Sequence, residues 1–404
     1  MNSDPNRKLD HAPAHVPSHL VVDWDFHHVP GGENDVHLAW KRLHDGPTVV
    51  WTPYYGGHWI VTRAEAIKEV QTEHETFSHE VFSLPRAVRS QPLVPLELDP
   101  PFHGDYRRIL NLAFSPKVVN GLRDDIRSLA RQLVENVADK GQCDFIADYA
   151  RWFPVTIFLR LVDMPVQERE RFLNWADAVI HSSSTAAQAN AFRETIGRLK
   201  DEIDQRRLAP GTDVFSQIMA SQVKGELIGE AEMLGMIMLL FFGGLDTVAS
   251  MMGFVVRFLA THPGHRQQLV ENPELIPKAT DEFIRRFGLS NTARLIKHDR
   301  DFHGAPVKAG EIIMVPIALA SMDERRWGAN AMDIDFDRRT EGHDTFGNGP
   351  HRCPGANLAR VEIQTFLEEW LRRIPDFEIS PGQRVVTLSG AVNGVQTLPL
   401  SWKV

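Results

Sequence analysis

The chain of 404 residues has only two cysteines, Cys143 and Cys353, which excludes a disulfide framework and favours a reducing compartment, the cytoplasm. It lacks a surplus of positive charge. With 44 basic against 53 acidic side chains its net charge is -9, which argues against a general nucleic-acid-binding surface. The opening "MNSDPNRKLDHAPAHVPSHL" has no apolar core of a secretory signal and reads as a flexible N-terminal arm over residues 1–20. The most apolar stretch, "MLGMIMLLFFGGL" at 233–245, is shorter than the ~20 apolar residues of a membrane span, so no membrane partner is expected. Clustered Cys ligands are missing too, which sets aside a zinc site built on Cys353 and nearby His residues. No repeat, low-complexity block or long Gly/Ser linker interrupts the chain, and residues 21–404 read as a single domain.

What is present is an ordinary globular balance, 43% hydrophobic and 24% charged, which suffices for a folded core. "PTVVWTPYYGGHWIVT" at 47–62 alternates bulky and turn residues as two short strands do, and "AEAIKEVQTEH" then shifts to helical spacing. Between residues 116 and 275 the spacing is mainly helical, broken at "RWFPVT", "VDMPVQ", "RRLAPGTD" and "ATHPGH". Strand signals return at "TARLIKHD", "DFHGAPVKAG", "EIIMVPIAL", "VVTLSG" and "VQTLPLSW". The fold class is mainly α with small β-sheets.

One cysteine has an unusual setting. Cys353 lies in "FGNGPHRCPGANLARVEI", just before a helix whose apolar stripe is Leu358, Val361, Phe366, Leu367, Trp370, Leu371 and Ile374. Free N–H groups and the positive dipole end there favour an anion, so the site is expected to lower the thiol pKa. Gly347, Gly349 and Gly355 let backbone approach a flat partner, and Pro354 withholds one N–H from the sulfur. A structural cysteine in a turn is the plainer alternative.

The spacing of Phe346, Gly349, Cys353 and Gly355 resembles the haem-binding loop of the cytochrome P-450 monooxygenases. The resemblance implies that fold, haem b as cofactor, and Cys353 as the axial thiolate, with Phe346 and Gly355 against the haem. Three further motifs match the family in order. Glu282 and Arg285 in "DEFIRRF" fit its E-x-x-R pair, which buttresses the fold behind the haem; alone they read as a surface ion pair. "FFGGLDTVAS" fits its oxygen-binding helix, where a local opening is expected to make room for O2, with Gly243 beside the haem and with Asp246 and Thr247 as the acid-alcohol pair that delivers protons. The alternative there is close helix packing at Gly243 and Gly244, with Thr247 bonded back to a carbonyl. His103, Arg107, Arg294 and His351 fit the positions that bind the haem propionates.

"GGLDTV", "RRIPDFEISPG" and "SGAVNGVQTLPL" are similar to the camphor-hydroxylating bacterial branch. That branch implies O2 as co-substrate and electrons from a 2Fe-2S ferredoxin with a flavin-dependent ferredoxin reductase. Arg107, Arg108, Arg352 and Arg360 would form the cationic docking patch. By the same matching Phe82, Gln91, Leu93, Leu96, Leu239, Phe242, Ser290 and Val392 line the substrate pocket, and Gln91 replaces the tyrosine that bonds the camphor ketone. The implied reaction is hydroxylation of a small apolar molecule, a cyclic terpenoid or norisoprenoid ketone. A peroxide-driven peroxygenase and a haem-thiolate sensor without turnover are the competing functions.

Overall fold

The structure, a computed structural model, describes residues 7–86, 92–180 and 185–404. Strands β1 (Val49–Thr52) and β2 (His58–Val61) come first, followed by helix α1 (Ala64–Thr72) and the short strand β3 (Phe77–Ser78). Helices α2 (Phe102–Ala113), α3 (Arg123–Ala138), α4 (Trp152–Leu161), α5 (Arg169–Ile180), α6 (Thr185–Leu208), α7 (Glu230–Thr261) and α8 (Ile276–Arg286) build the body. Strands β4 (Asn291–Ile296) and β5 (Ile312–Pro316) then return to the sheet, and helix α9 (Ala356–Arg373) follows the cysteine loop.

The sheet order is β1-β2-β5-β4-β3, with only the β2–β5 pair parallel. Its register sets Ile313 opposite Arg294, so β4 carries a buried arginine between Ala293 and Leu295. The strand signal in "DFHGAPVKAG" turns out to be part of a hairpin, with Arg300–Phe302 paired to Ala305–Val307. His303 and Gly304 supply the two positive φ values, 52° and 84°, that a tight right-twisting turn requires. The strand Gln142–Asp144, inside the stretch expected to be mainly helical, pairs with Pro399–Ser401. Its strand character comes from that distant partner and has no local pattern.

Residues 7–20 depart from the expected flexible arm. Leu9 N–H donates to the Pro53 carbonyl at 2.9 Å, Lys8 pairs with Asp23 at 2.6 Å, and His15 Nε2 meets Glu311 at 2.9 Å. Val16 and Leu20 are buried, so apolar anchors spaced among polar residues hold the segment on the sheet.

Helix α7 organises the core. It has 32 residues, long and apolar enough to cross a membrane, yet 67% of its most apolar window is buried against its neighbours. Its first half, Met233 to Leu245, belongs to one apolar cluster with α4, α5 and α6; its second half, Val248 to Ala260, belongs to another with the sheet, α3, α8 and α9. The join between the two clusters falls at Asp246 and Thr247.

Candidate functional site

The cysteine loop is shaped by backbone. Cys353 N–H donates to the Phe346 carbonyl at 2.8 Å, and Gly347 N–H to the Asp344 carbonyl at 2.8 Å. Gly347 and Gly349 have φ of 74° and 67°, and a Cβ at Gly349 would sit 3.1 Å from the Gln71 carbonyl oxygen, so glycine is required there twice over. Helix α9 starts at Ala356 with Gly355 as its N-cap. The Arg360 guanidinium lies 4.8 Å over the Phe346 ring.

Cys353 keeps partial surface exposure, yet the surrounding protein raises its thiol pKa by desolvation, against the lowering expected from a helix start. A hydrogen bond from Gly355 N–H and the charges of Arg107, Arg352 and Arg360 pull the other way without prevailing. Removal from water costs a thiolate more than one N–H and three arginines return, because a screened arginine acts weakly while desolvation acts fully. Arg107 reaches the loop directly, donating from Nη2 to the Arg352 carbonyl and from Nε to Asn111 at 2.9 Å.

Behind the loop, Glu282 and Arg285 on α8 are buried and face each other, with Nε to Oε2 at 2.7 Å and Nη2 to Oε1 at 2.9 Å. This is no surface ion pair. Arg285 also donates to the Ser321, Ala331 and Asp333 carbonyls, and Glu282 also accepts from Asp335 N–H and from Arg338 Nε at 3.1 Å. Arg338 was invisible to sequence reasoning, since 56 residues separate it from Glu282.

The local opening expected on α7 is not present: the helix runs through the double glycine without a break, because both glycines keep helical backbone, and Thr247 Oγ1 donates to the Gly243 carbonyl at 3.3 Å. A Cβ at Gly243 would meet nothing within 4 Å, and one at Gly244 only Phe158 at 3.9 Å. Close packing therefore does not explain these glycines. It does explain Gly235 and Gly253 on the same helix, whose Cβ atoms would fall 2.3 Å from the Pro92 carbonyl oxygen and 2.9 Å from Ile146. Asp246 lies at a small cavity shared with the Arg151–Asp177 ion pair, two residues from other elements that no local spacing signals.

A third group gathers from four segments. His351 of the loop stands 4.1 Å from the His103 ring of α2 and is stacked at 3.3 Å on His79, which follows β3. Arg294 of β4 presses on both His79 and His351 electrostatically. His103 Nε2, His351 Nε2, Arg294 Nε and both ring nitrogens of His79 are buried without a hydrogen-bond partner, and Arg294 has no ion pair among the described residues. Burial first, then repulsion from nearby arginines and imidazoles, lowers His351 to about 2 and His103 to about 4 and carries His79 lower still, while burial alone lowers Arg294 to about 9 against the pull of the Asp99 carboxylate. Each orphaned buried group costs ~1–3 kcal/mol, so a concentration of them marks a place where an anion belongs. Two carboxylates of an iron porphyrin have that chemistry, and the residues fit the group. The sequence singled out all of these except His79, which no helical or strand spacing marks.

Of the expected pocket residues, Phe82, Leu93, Leu96, Leu239 and Phe242 meet in the apolar cluster around the first half of α7. Ser290 and Val392 form a separate β-bridge, with Val392 packed on the other cluster. Gln91 lies outside the described residues. Phe192 of α6 joins the set, its ring parallel to Phe242 at 5.8 Å.

With this geometry in place, similarities to known proteins bear on it. The family model of cytochrome P-450 matches residues 171–401. A probable cytochrome P-450 127A1 from Sinorhizobium fredii is 32% identical over 98% of this chain and 98% of its own. Mycinamicin IV hydroxylase/epoxidase from Micromonospora griseorubida is 30% identical over 87% of this chain and 91% of its own. The crystal structure of CYP101C1 superimposes with a TM-score of 0.91 at 35% identity, covering 98% of this chain and 100% of that one. That of CYP101J2 gives the same TM-score and coverage at 33% identity.

Proposed function

This chain belongs to the cytochrome P-450 family, an oxidoreductase that holds haem through a thiolate and uses O2 with a redox partner, and on that premise we propose that it hydroxylates a cyclic terpenoid or norisoprenoid ketone. The observation that carries the site assignment is the cysteine loop standing beside a buried cluster of unpartnered imidazoles and a guanidinium. Cys353 would hold the haem iron through its thiolate. Gly355 N–H holds its sulfur, and Phe346 walls the loop. Bound haem with a cysteinate ligand supplies dioxygen activation, since the sulfur pushes electron density that favours O–O cleavage.

The chain's own groups do the rest. His103, His351 and Arg294 take the propionates; Arg107, expected beside them, instead has its Nη2 on the Arg352 carbonyl and ties α2 to the loop. Glu282, Arg285 and Arg338 lock the segment between residues 321 and 338 behind the loop. Forming an alcohol and a water from one O2 consumes two protons. Thr247 Oγ1, parked on the Gly243 carbonyl, and the Asp246 carboxyl at its cavity are the groups that hold and pass them. Gly243 leaves room for O2 because the space a Cβ would enter there is open.

Electrons come from a 2Fe-2S ferredoxin served by a flavin reductase, docking on the face where Arg108 and Arg352 are exposed, with Arg107 and Arg360 at its margin. We place the enzyme in the cytoplasm, where its two free thiols stay reduced. The substrate packs against Phe82, Leu93, Leu96, Leu239, Phe242 and Phe192, with Ser290 and Val392 at the edge and Gln91 as amide donor to a ketone. An amide on a flexible stem replaces a phenol of fixed reach, so camphor binds poorly. A spectral titration tests this: an ionone should convert the haem to high spin, and camphor should bind roughly ten- to a hundredfold more weakly, the effect of one hydrogen bond in a closed pocket. Tight, fully high-spin camphor binding would overturn the substrate assignment.

A further inference from the structure

We propose that His79 is a further haem-anchoring residue, a third imidazole that stacks on His351 and donates an N–H to a propionate carboxylate in the pocket shared with His103 and Arg294. The inference rests on the reading of that pocket as the propionate site.

The backbone fixes where the ring stands. His79 N–H donates to Asp99 at 2.9 Å, and three residues later the Phe82 carbonyl accepts from Ala293 N–H at 2.8 Å, next to Arg294. Between these two ties the ring is carried inward and left 2% exposed. It lies face to face with His351, 11° from parallel at 3.3 Å between centroids. Such a stack holds the two ring planes against each other. The Leu96 carbonyl lies close enough to favour a proton on the His79 ring, yet neither ring nitrogen completes a hydrogen bond.

A packing role does not account for this ring. A phenyl would fill the same space with no polar atom to desolvate. A metal does not account for it either, because no group of His, Cys, Asp or Glu among the described residues is arranged to hold one. An anion does account for it. Neutral imidazoles each offer one N–H, and Arg294 brings the charge.

The test uses the full-length holoenzyme and measures haem transfer to excess apomyoglobin together with the haem midpoint potential. His79→Phe keeps a flat ring and removes both nitrogens. It should speed haem transfer roughly tenfold, the scale of one hydrogen bond to a charged acceptor, and shift the potential to more negative values, since a less compensated carboxylate favours ferric iron. His79→Gln, which retains a donor without the ring, should lose haem more slowly than His79→Ala. Wild-type transfer rate and potential in His79→Phe would overturn the proposal, as would equal rates for the Gln and Ala variants. Arg294→Gln separates the two levels: if it accelerates haem loss while the His79 variants do not, only the anchoring role fails. If Arg294→Gln also leaves haem transfer unchanged, the propionate reading itself fails.

Discussion

Glu282 with Arg285 and Arg294 with its histidines are equally deep in the protein, yet they are finished differently. Every nitrogen of the Arg285 side chain has an acceptor, and Glu282 accepts from Arg285, Arg338 and Asp335 N–H. Around Arg294, five buried nitrogen atoms on four side chains have none. A folded chain tolerates buried charge when the fold itself supplies the counterpart, as at Arg285, and leaves it open when something else does. The first cluster is a structural joint and the second a receptor, and substitutions should separate them.

The largest effect should come from breaking the joint. Glu282→Ala or Arg285→Ala strands a buried charge and should cost ~3–5 kcal/mol of apoprotein stability in urea unfolding, with loss of haem incorporation as a consequence. Arg294→Gln should do the reverse: haem retention falls while apoprotein stability stays level or rises, because an unpaired buried charge has been removed. Equal destabilisation by both substitutions would erase the distinction.

Next in size is the acid-alcohol pair at the join of the two cores. Asp246→Asn should lower turnover by ~10²-fold, the low end for losing a positioned proton-transfer group. Thr247→Ala should consume reduced nicotinamide and release peroxide or water in place of product. Measured product formation per nicotinamide oxidised checks both.

The glycines of α7 sharpen the contrast on a smaller scale. Gly235→Ala drives a Cβ into the Pro92 carbonyl and should destabilise the apoprotein by about 1–3 kcal/mol. Gly243→Ala meets nothing and should stabilise it by up to ~1 kcal/mol through helix propensity, while impairing O2 use. Thermal unfolding of the two apoproteins reads the difference in sign.

The smallest effect is on pH. His103 falls to about 4 in the folded chain, below the ordinary 6.5, so the unfolded state binds more protons between those values. Apoprotein stability should therefore be complete above pH 6.5 and decline as pH drops towards 4, a decline to which buried His58 and His343, also lowered to about 4, contribute. His103→Gln should flatten that slope in urea titrations at several pH values. A slope unchanged in the variant would remove His103 from the account.

Much of this was legible in the residues. The Cys353 loop and the Glu282–Arg285 pair are local patterns whose geometry follows from chain spacing, whereas the opening expected at the α7 glycines is absent from a continuous helix. Arg338, Arg151, Asp177, His79 and Phe192 were not legible, because each reaches its partner across a fold that no window of sequence contains. The thiol of Cys353 shows a third case: its helix-start position was read correctly, and burial, which depends on what packs around the loop, reversed the expected direction of its pKa. The N-terminal segment erred the same way, polar in composition yet anchored by Leu9, Val16 and Leu20.

The central claim is that Cys353 holds the iron, and the ferrous carbon monoxide spectrum tests it most directly. The wild-type protein should show the strongly red-shifted Soret band of thiolate ligation, and Cys353→His should move it to the histidine-type position. A histidine-type band in the wild-type protein, or a red-shifted band that survives Cys353→His, would contradict the account.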